Sequence, residues 1–326
     1  VYYLIAAIEC LGVGFLALIC AGLVCLPASR LVARAIRQRH PGTIANILFA
    51  FRLLPAGIAA TLSLAFALPA YLMFEPHPSN DYVGPLQIIL GVSGAAMFAI
   101  MIFRMVHALH SSSMVEEHWL ARSRRVHIPG LHLPAYSVKG IPSLFVVTGI
   151  LRPRVFVSRE ILQEFSAGEM SAAAAHEMAH VRSFDNLKQL LLEITRPPAW
   201  LLKFGISDES WADATEHAAD HFALSVGNPP LQLASALLKV VKLRSSFVAH
   251  HFPGMHLVPA HGRPRLETRV THLIAMTDNP GPRPHQFSSQ LVYGFALTGI
   301  TLFVICYAAT APVVLRFAEH ALDMLF

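Results

Sequence analysis

"AAAAHEMAHVRSFD", residues 172–185, is the stretch on which the reading of the whole chain turns. Alanine is the strongest helix former, and Ser166 with Glu169 just upstream makes a capping-box signature, so the spacing predicts a helix from near Ser166 past His180. Residues four apart on a helix share a face, which brings the imidazoles of His176 and His180 within reach of one ion. Glu177, beside the first histidine, then faces a water on that ion without being a ligand. This is the zincin arrangement, in which zinc lowers the pKa of its water to about 7 and polarises a scissile carbonyl while the glutamate carries the proton to the leaving amine. The competing reading is accident, because a chain with 18 histidines can produce H-E-x-x-H without purpose.

A third protein ligand decides between the two, since catalytic zinc keeps three and leaves the fourth position open. "WADATEHAADHF", residues 211–222, supplies it on the next strong helix, where Glu216 and Asp220 lie four apart. Glu216 is expected as the ligand and Asp220 as a carboxylate that orients a zinc-bound histidine. His217 and His221 are neighbours on the same helix and compete as ligands, and a solvated acidic helix face is the plain alternative.

Around this motif the chain is apolar: 54% of its residues are hydrophobic, 14% are charged, and the mean hydropathy is +0.51. Four runs reach the roughly 20 residues that cross a bilayer as a helix: about Tyr2 to Leu26, Ile44 to Phe74, Pro85 to Leu109 and Leu291 to Phe317. The first lacks a basic leader and carries Glu9, so it reads as a span and not as a signal peptide. Arg30, Arg34, Arg37 and Arg39 fill the first loop, while "FEPHPSNDYVG" has two acids and no basic residue. By the positive-inside rule the first loop is cytoplasmic, the second external, and residues 110–288 cytoplasmic. Arg52 in the second span is expected to snorkel to the interface, and Pro55 to kink its helix.

A pI of about 9.2 follows from this distribution, and no nucleic-acid module is visible, so membrane headgroups are the expected anionic partner and nucleic acid is not. Cys10, Cys20, Cys25 and Cys306 all fall in the expected spans and read as small apolar residues.

Within the insert, "EEHWLARSRRVHIPG" reads as a short helix before a Pro-Gly turn, and "SLFVVTGILRPRVFVS" as a hairpin from about Leu144 to Val157. Helices are expected from Asp185 to Phe204, broken at Pro197 and Pro198, then from Ser207 to the Gly227-Asn228-Pro229 stop, from Pro230 to Ser245 and from Pro264 to Met276.

With its three spans, "HEMAHVRSFD", the Glu216/Asp220 pair and a fourth span, the sequence resembles the integral-membrane zinc metallopeptidases of the BlaR/MecR antirepressor type, relatives of the HtpX-type and CAAX prenyl proteases. The resemblance implies a mainly α membrane protein of four transmembrane helices, with a cytoplasmic α+β zincin-like peptidase domain inserted between the third and fourth. Its parts would be 1–109 (three spans), 110–288 (peptidase) and 289–326 (fourth span and an external tail). It implies Zn2+ as cofactor, Asp185 as a further acid at the metal, and His261 and Arg269 facing the substrate carbonyl, with Arg263, Arg265 and His256 as rivals. It also implies that the strand with Phe145, Val146 and Val147 is the edge on which a substrate peptide adds. The sequence ends about ten residues after the last span, without the external β-lactam sensor of the antirepressors.

The expected function is a zinc endopeptidase of the bacterial cytoplasmic membrane that cuts a cytoplasmic or membrane-proximal protein, with a transcriptional regulator in a signalling pathway as one substrate class and a sensor protein as one partner. An HtpX-like quality-control protease is the alternative enzyme. A non-catalytic receptor with a structural zinc site is the alternative of another class, against which Glu177 argues, because a closed site has no use for a carboxylate beside an open position.

Overall fold

The computed structural model describes residues 2–74, 83–139, 145–198, 208–245 and 263–278. It is mostly helical. Helix α1 runs over Tyr2–Ala35, α2 over Pro41–Thr61, and a π-helical turn at Leu62–Ala67 joins α2 to α3 at Leu68–Phe74; α4 covers Pro85–Ala121. Three stretches, Tyr2–Ala35, Pro41–Phe74 and Pro85–Ala121, are long and apolar enough to cross a membrane. Their large apolar side chains point outward, Ile89, Phe98 and Phe103 among them, as expected where the solvent is lipid. The fourth expected span, Leu291 to Phe317, lies outside the described residues.

Small residues let the spans approach. A Cβ at Gly91 would collide with Ile8, and one at Gly94 with the backbone of Leu11, so α4 crosses α1 at a separation that only glycine permits there. The π turn is tied across by the Ser63 hydroxyl, which donates to the Cys10 carbonyl at 2.7 Å. Arg52 does not snorkel: it is 8% exposed, and its Nε donates to Asp208 Oδ1 at 3.1 Å. A buried guanidinium needs a carboxylate partner more than it needs water at a distance, and Asp208 is supplied from 156 residues further along the chain.

Helix α4 continues unbroken past residue 109, where the first and second parts were expected to meet. The short helix expected after residue 110 is its C-terminal end, and it stops at Ala121; the following Ser123–Val126 is a strand, β1, and not helix. The physical reason is packing: Val115 and Trp119, four apart on α4, lie against a sheet. That sheet comprises β1, β2 (Ala135–Val138), β3 (Phe145–Thr148) and β4 (Arg154–Ser158) in the order β1-β2-β4-β3. Strands β3 and β4 form the expected hairpin, antiparallel with Val147 opposite Val155, while β2 runs parallel to β4.

Strand β4 is buried on both faces. Val155 and Val157 join Ile161 and Ala174 in one core, and Phe156 turns the other way onto Trp119, ring centroids 5.3 Å apart and edge to face. The C-terminal end of α4, beyond the expected span, is thus a wall of the core around the sheet.

The helices after the sheet are α5 (Arg159–Glu164), α6 (Ala167–Arg182), α7 (Asp185–Ile194), α8 (described from Asp208 to Ser225), α9 (Pro230–Ser245) and α10 (Arg263–Asp278). The capping box at the start of α6 is formed, with the Ser166 hydroxyl accepting from the Glu169 N–H and Glu169 Oε2 accepting from the Ser166 N–H. Gly227 ends α8 at φ +98°, a backbone conformation that favours glycine. Helix α7 ends at Ile194, before the Pro197-Pro198 break; Lys188 of α7 donates to Asn46 of α2, and Arg104 of α4 donates to the carbonyl of Arg196.

Candidate metal centre

Helix α6 presents His176 and His180 on one face, with ring centroids 5.0 Å apart. Helix α8 crosses that face and brings Glu216 to the same point. The two Nε2 atoms are 3.3 Å apart, Glu216 Oε2 is 3.5 Å from His176 Nε2, and Glu216 Oε1 is 3.8 Å from His180 Nε2. A tetrahedral ion with bonds of about 2.0–2.1 Å needs its ligand atoms about 3.3–3.4 Å apart. The two nitrogens are at that spacing and a Glu216 oxygen lies within half an ångström of it from each of them, so that one ligand atom from each of the three residues falls within 4.8 Å of the others, the one group of this kind among the described residues.

The other ring nitrogens say what the three atoms are. His180 Nδ1 lies 2.8 Å from Asp185 Oδ2, and His176 Nδ1 lies 3.0 Å from Asp220 Oδ1, off the line of a straight hydrogen bond. A proton on each Nδ1 faces a carboxylate, so each Nε2 carries a lone pair. With those tautomers two Nε2 lone pairs converge with a carboxylate that Arg269 grips from its other side, an arrangement that suits a cation between the three groups. Without a metal a proton can take that place. Burial alone lowers the His176 imidazole, but its contacts with Asp220 and Glu216 outweigh this and raise it to about 10. His180 is likewise lowered by burial and raised further by Asp185 and Glu216. A divalent ion must displace such protons, so binding releases them.

The two orienting acids reach the site by different routes. Asp185 opens α7 after Phe184, which takes the left-handed conformation at φ 54° and is half exposed. That conformation costs a phenylalanine about 1–3 kcal/mol, and it turns the chain so that Asp185 faces back onto His180. Asp220 stands one helical turn beyond Glu216 and is gripped by Arg269 of α10: Nε donates to Oδ2 at 2.7 Å, Nη2 to Oδ1 at 2.6 Å, and Nη1 to Glu216 Oε2 at 2.6 Å. Burial raises both carboxyls, but for Asp220 the contacts with His176 and Arg269, and for Glu216 chiefly Arg269, hold them well below the ordinary range. The guanidinium is raised in turn, the two carboxylates outweighing its burial.

Glu177 stands outside the converging group. Its Oε2 accepts the Val147 N–H at 3.2 Å, so the edge strand β3 meets the helix of the two imidazoles at this carboxylate. Burial raises Glu177, and the pull of His180 and His176 in the other direction does not cancel it.

The expected residues therefore sort as follows. The structure brings together His176, His180 and Glu216, with Asp220 behind the first and Asp185 behind the second. Phe145, Val146 and Val147 lie on β3 at the sheet edge, but only Val147 is recorded against a site residue. Arg269, expected to face a substrate carbonyl, is engaged with Asp220 and Glu216 and braces the two carboxylates. His261 and its rival His256 are outside the described residues, and Arg263 and Arg265 fall in the first turn of α10. His217 and His221 turn away from the cluster, toward His272 and His40 respectively. Sequence reasoning missed Asn186, whose amide Nδ2 donates to the carbonyls of Val147 at 3.3 Å and Gly149 at 3.1 Å. Its position directly after Asp185 is the one signal that pointed there.

Beyond Val147 the outer edge of β3 opens into a cleft of about 480 Å³ walled by the C-terminal end of α4 and by α7, with Trp119, Val146, Ile150, Asn186 and Leu190 in its lining. The hairpin tip beside it carries Leu151, 93% exposed.

No curated protein and no solved structure matches the chain. Residues 114–214 match the model of Peptidase family M48, a segment that begins on α4, holds the whole sheet and α6, and stops just before Glu216. That match supports a metallopeptidase, and the three convergent groups are where it would hold its metal.

Proposed function

We propose that the protein is a membrane-embedded, zinc-dependent endopeptidase that cleaves a protein at the cytoplasmic face of its membrane, with a transcriptional regulator as the substrate class that the antirepressor resemblance favours. The observation that carries this reading is the convergence of His176 Nε2, His180 Nε2 and the Glu216 carboxylate at a spacing that suits one metal ion. Two imidazoles and one carboxylate suit zinc, and three protein ligands leave a coordination position open. Zinc held there supplies Lewis acidity to the scissile carbonyl and an acidified water. The basic first loop supports the cytoplasmic side, and the three apolar helices support the membrane location.

The chain's own residues do the rest. Asp185 and Asp220 keep the proton of each imidazole on Nδ1, so that both Nε2 atoms stay available as ligands. Arg269 keeps Glu216 and Asp220 ionised. Glu177 takes the proton of the attacking water on a carboxylate oxygen and delivers it to the leaving amine. An extended peptide would add along the outer edge of β3 ahead of Val147, whose own outward groups are held by Glu177 and Asn186.

The test uses the full-length protein in detergent micelles, with metal content and hydrolysis of labelled casein as readouts. Glu177→Gln is expected to retain one zinc per chain and to lose cleavage. If that variant still cuts casein, the assigned base is wrong; if the native protein binds no zinc, the whole reading fails. Mass spectrometry of cells carrying Glu177→Gln then separates the substrates: one accumulating protein marks a regulatory enzyme, and many misfolded membrane proteins mark quality control.

A further inference from the structure

The end of β3 is held from two sides, and the two contacts sit on one residue. Val147 gives its N–H to Glu177 and receives the Asn186 amide on its carbonyl. In a strand the N–H and C=O of one residue point to the same side, and Val146 and Thr148 take the alternate positions that face β4. The outward groups of Val147 are therefore both engaged, and Gly149, the next outward residue, is engaged by the same amide. Gly149 has φ +86°, and a Cβ there would stand 2.7 Å from the Arg152 carbonyl, so the hairpin turns sharply right after the clamped stretch.

Asn186 owes its place to the Phe184 turn that also aims Asp185. Adjacent residues at the start of α7 thus face different parts of the site, Asp185 toward His180 and Asn186 toward β3. The Asn186 amide nitrogen, which carries two hydrogens, donates to both carbonyls. Glutamate has three side-chain torsions, and ordering it otherwise costs about 1.5–2 kcal/mol of rotamer freedom. The Val147 N–H fixes one carboxylate oxygen of Glu177, and that N–H stays where it is only while β3 does.

We propose that Asn186 is a positioning residue for Glu177: by holding the carbonyls of Val147 and Gly149, it fixes the end of β3 where the Val147 N–H meets the Glu177 carboxylate. The catalytic part of this inference rests on the endopeptidase reading; the clamp itself does not. Misplacing a reacting group by about 1 Å costs up to about a hundredfold in rate, and partial loosening of one anchor is expected to lower kcat about tenfold.

Asn186→Ala removes the clamp, and Asn186→Asp keeps the side-chain size while placing a carboxylate, which cannot donate, against two carbonyls. Full-length zinc-loaded protein in micelles is compared with both variants by hydrogen exchange of the segment 145–149, zinc content, and kcat and KM on labelled casein. The expected result is exchange at least tenfold faster in that segment, unchanged zinc content, kcat down about tenfold and KM within threefold. Unchanged exchange in both variants overturns the clamp. Faster exchange with native kcat, a rise in KM alone, or a loss of kcat that merely tracks lost zinc overturns the positioning role. Should the native protein fail to cut casein, the endopeptidase reading fails and the positioning role with it, while the exchange measurement still decides the clamp.

Discussion

His180 takes its carboxylate from five residues along the chain, whereas His176 takes its from a different helix that a third helix must brace. The first arm, α6 through the Phe184 turn to Asp185, is a local device: one capped helix and one left-handed residue build it. The second, Glu216 and Asp220 on α8 with Arg269 on α10, is tertiary, because it exists only when three separate helices have packed. The match to peptidase family M48 includes the first arm and stops short of Glu216. The difference teaches that the candidate metal centre has one half written in consecutive residues and another assembled by the fold, and that the assembled half carries more of the charge.

The largest effect belongs to the assembled half. Glu216→Ala removes one of three ligands and leaves the Arg269 guanidinium with one carboxylate where it had two. Zinc content of the purified protein is expected to fall below a tenth of one per chain, and casein hydrolysis to fall by about a thousandfold or more, the scale of losing metal chemistry at one site. A Glu216→Ala protein that keeps its zinc would mean that the local arm alone holds the ion.

The next test sets the two orienting acids against each other. Loss of such a partner lowers metal affinity by about 10–100-fold, and Asp185→Asn is expected near the lower end, with little change in melting temperature. Asp220→Asn also takes from a buried guanidinium the carboxylate that receives two of its three bonds, leaving it Glu216 alone. Breaking a buried pair from one side costs about 3–5 kcal/mol, so this variant is expected to melt several degrees lower as well as to bind zinc up to a hundredfold more weakly. Zinc titration by competition with a chelator, run beside thermal unfolding, reads both. Equal losses in the two variants would erase the distinction between local and assembled arms.

What was legible in the sequence follows the same division. His176, His180, Glu216 and Asp220 show through helical spacing, because residues four apart share a face whatever surrounds them, and Asp185 came with the family motif next to them. The hairpin from β3 to β4 is legible because it is local and β-branched. Strands β1 and β2 are four residues each and owe their existence to pairing, β1 antiparallel with β2 and β2 parallel with the distant β4, and to cover from α4, none of which leaves a period to read. The length of α4 is hidden because its apolar run stops near Leu109 while its helix does not; Val115 and Trp119 at helical spacing are the trace of the buried face beyond. Arg269 was identified by residue but given a different task, since no sequence pattern says which carboxylates a distant guanidinium will find.

The smallest expected effect asks how local the local arm is. Glu169 closes the capping box of α6, and it also accepts from Ser235 Oγ at 2.5 Å and from Lys239 Nζ at 2.8 Å, both on α9. Burial raises this carboxyl, but Lys239, Ser235 and the cap outweigh it and hold it at about 2. A folded-state pKa below the ordinary 4.5 means that the unfolded chain binds the proton more readily. The stabilisation from Glu169 is then fully present above about pH 4.5 and is lost as the pH falls through that value toward 2. Glu169→Gln retains much of the hydrogen bonding and removes the charge, so it is expected to destabilise by about 1–2 kcal/mol at pH 7. The gap from the native protein should close as both are taken below pH 4 in metal-free micelles. Zinc affinity at neutral pH should change less than threefold, because the start of α6 lies two turns from His176 and the imidazoles are aimed by their own carboxylates. If zinc affinity instead falls tenfold with Glu169→Gln, the helix that carries both imidazoles is itself set by α9, and the local half of the centre is tertiary after all.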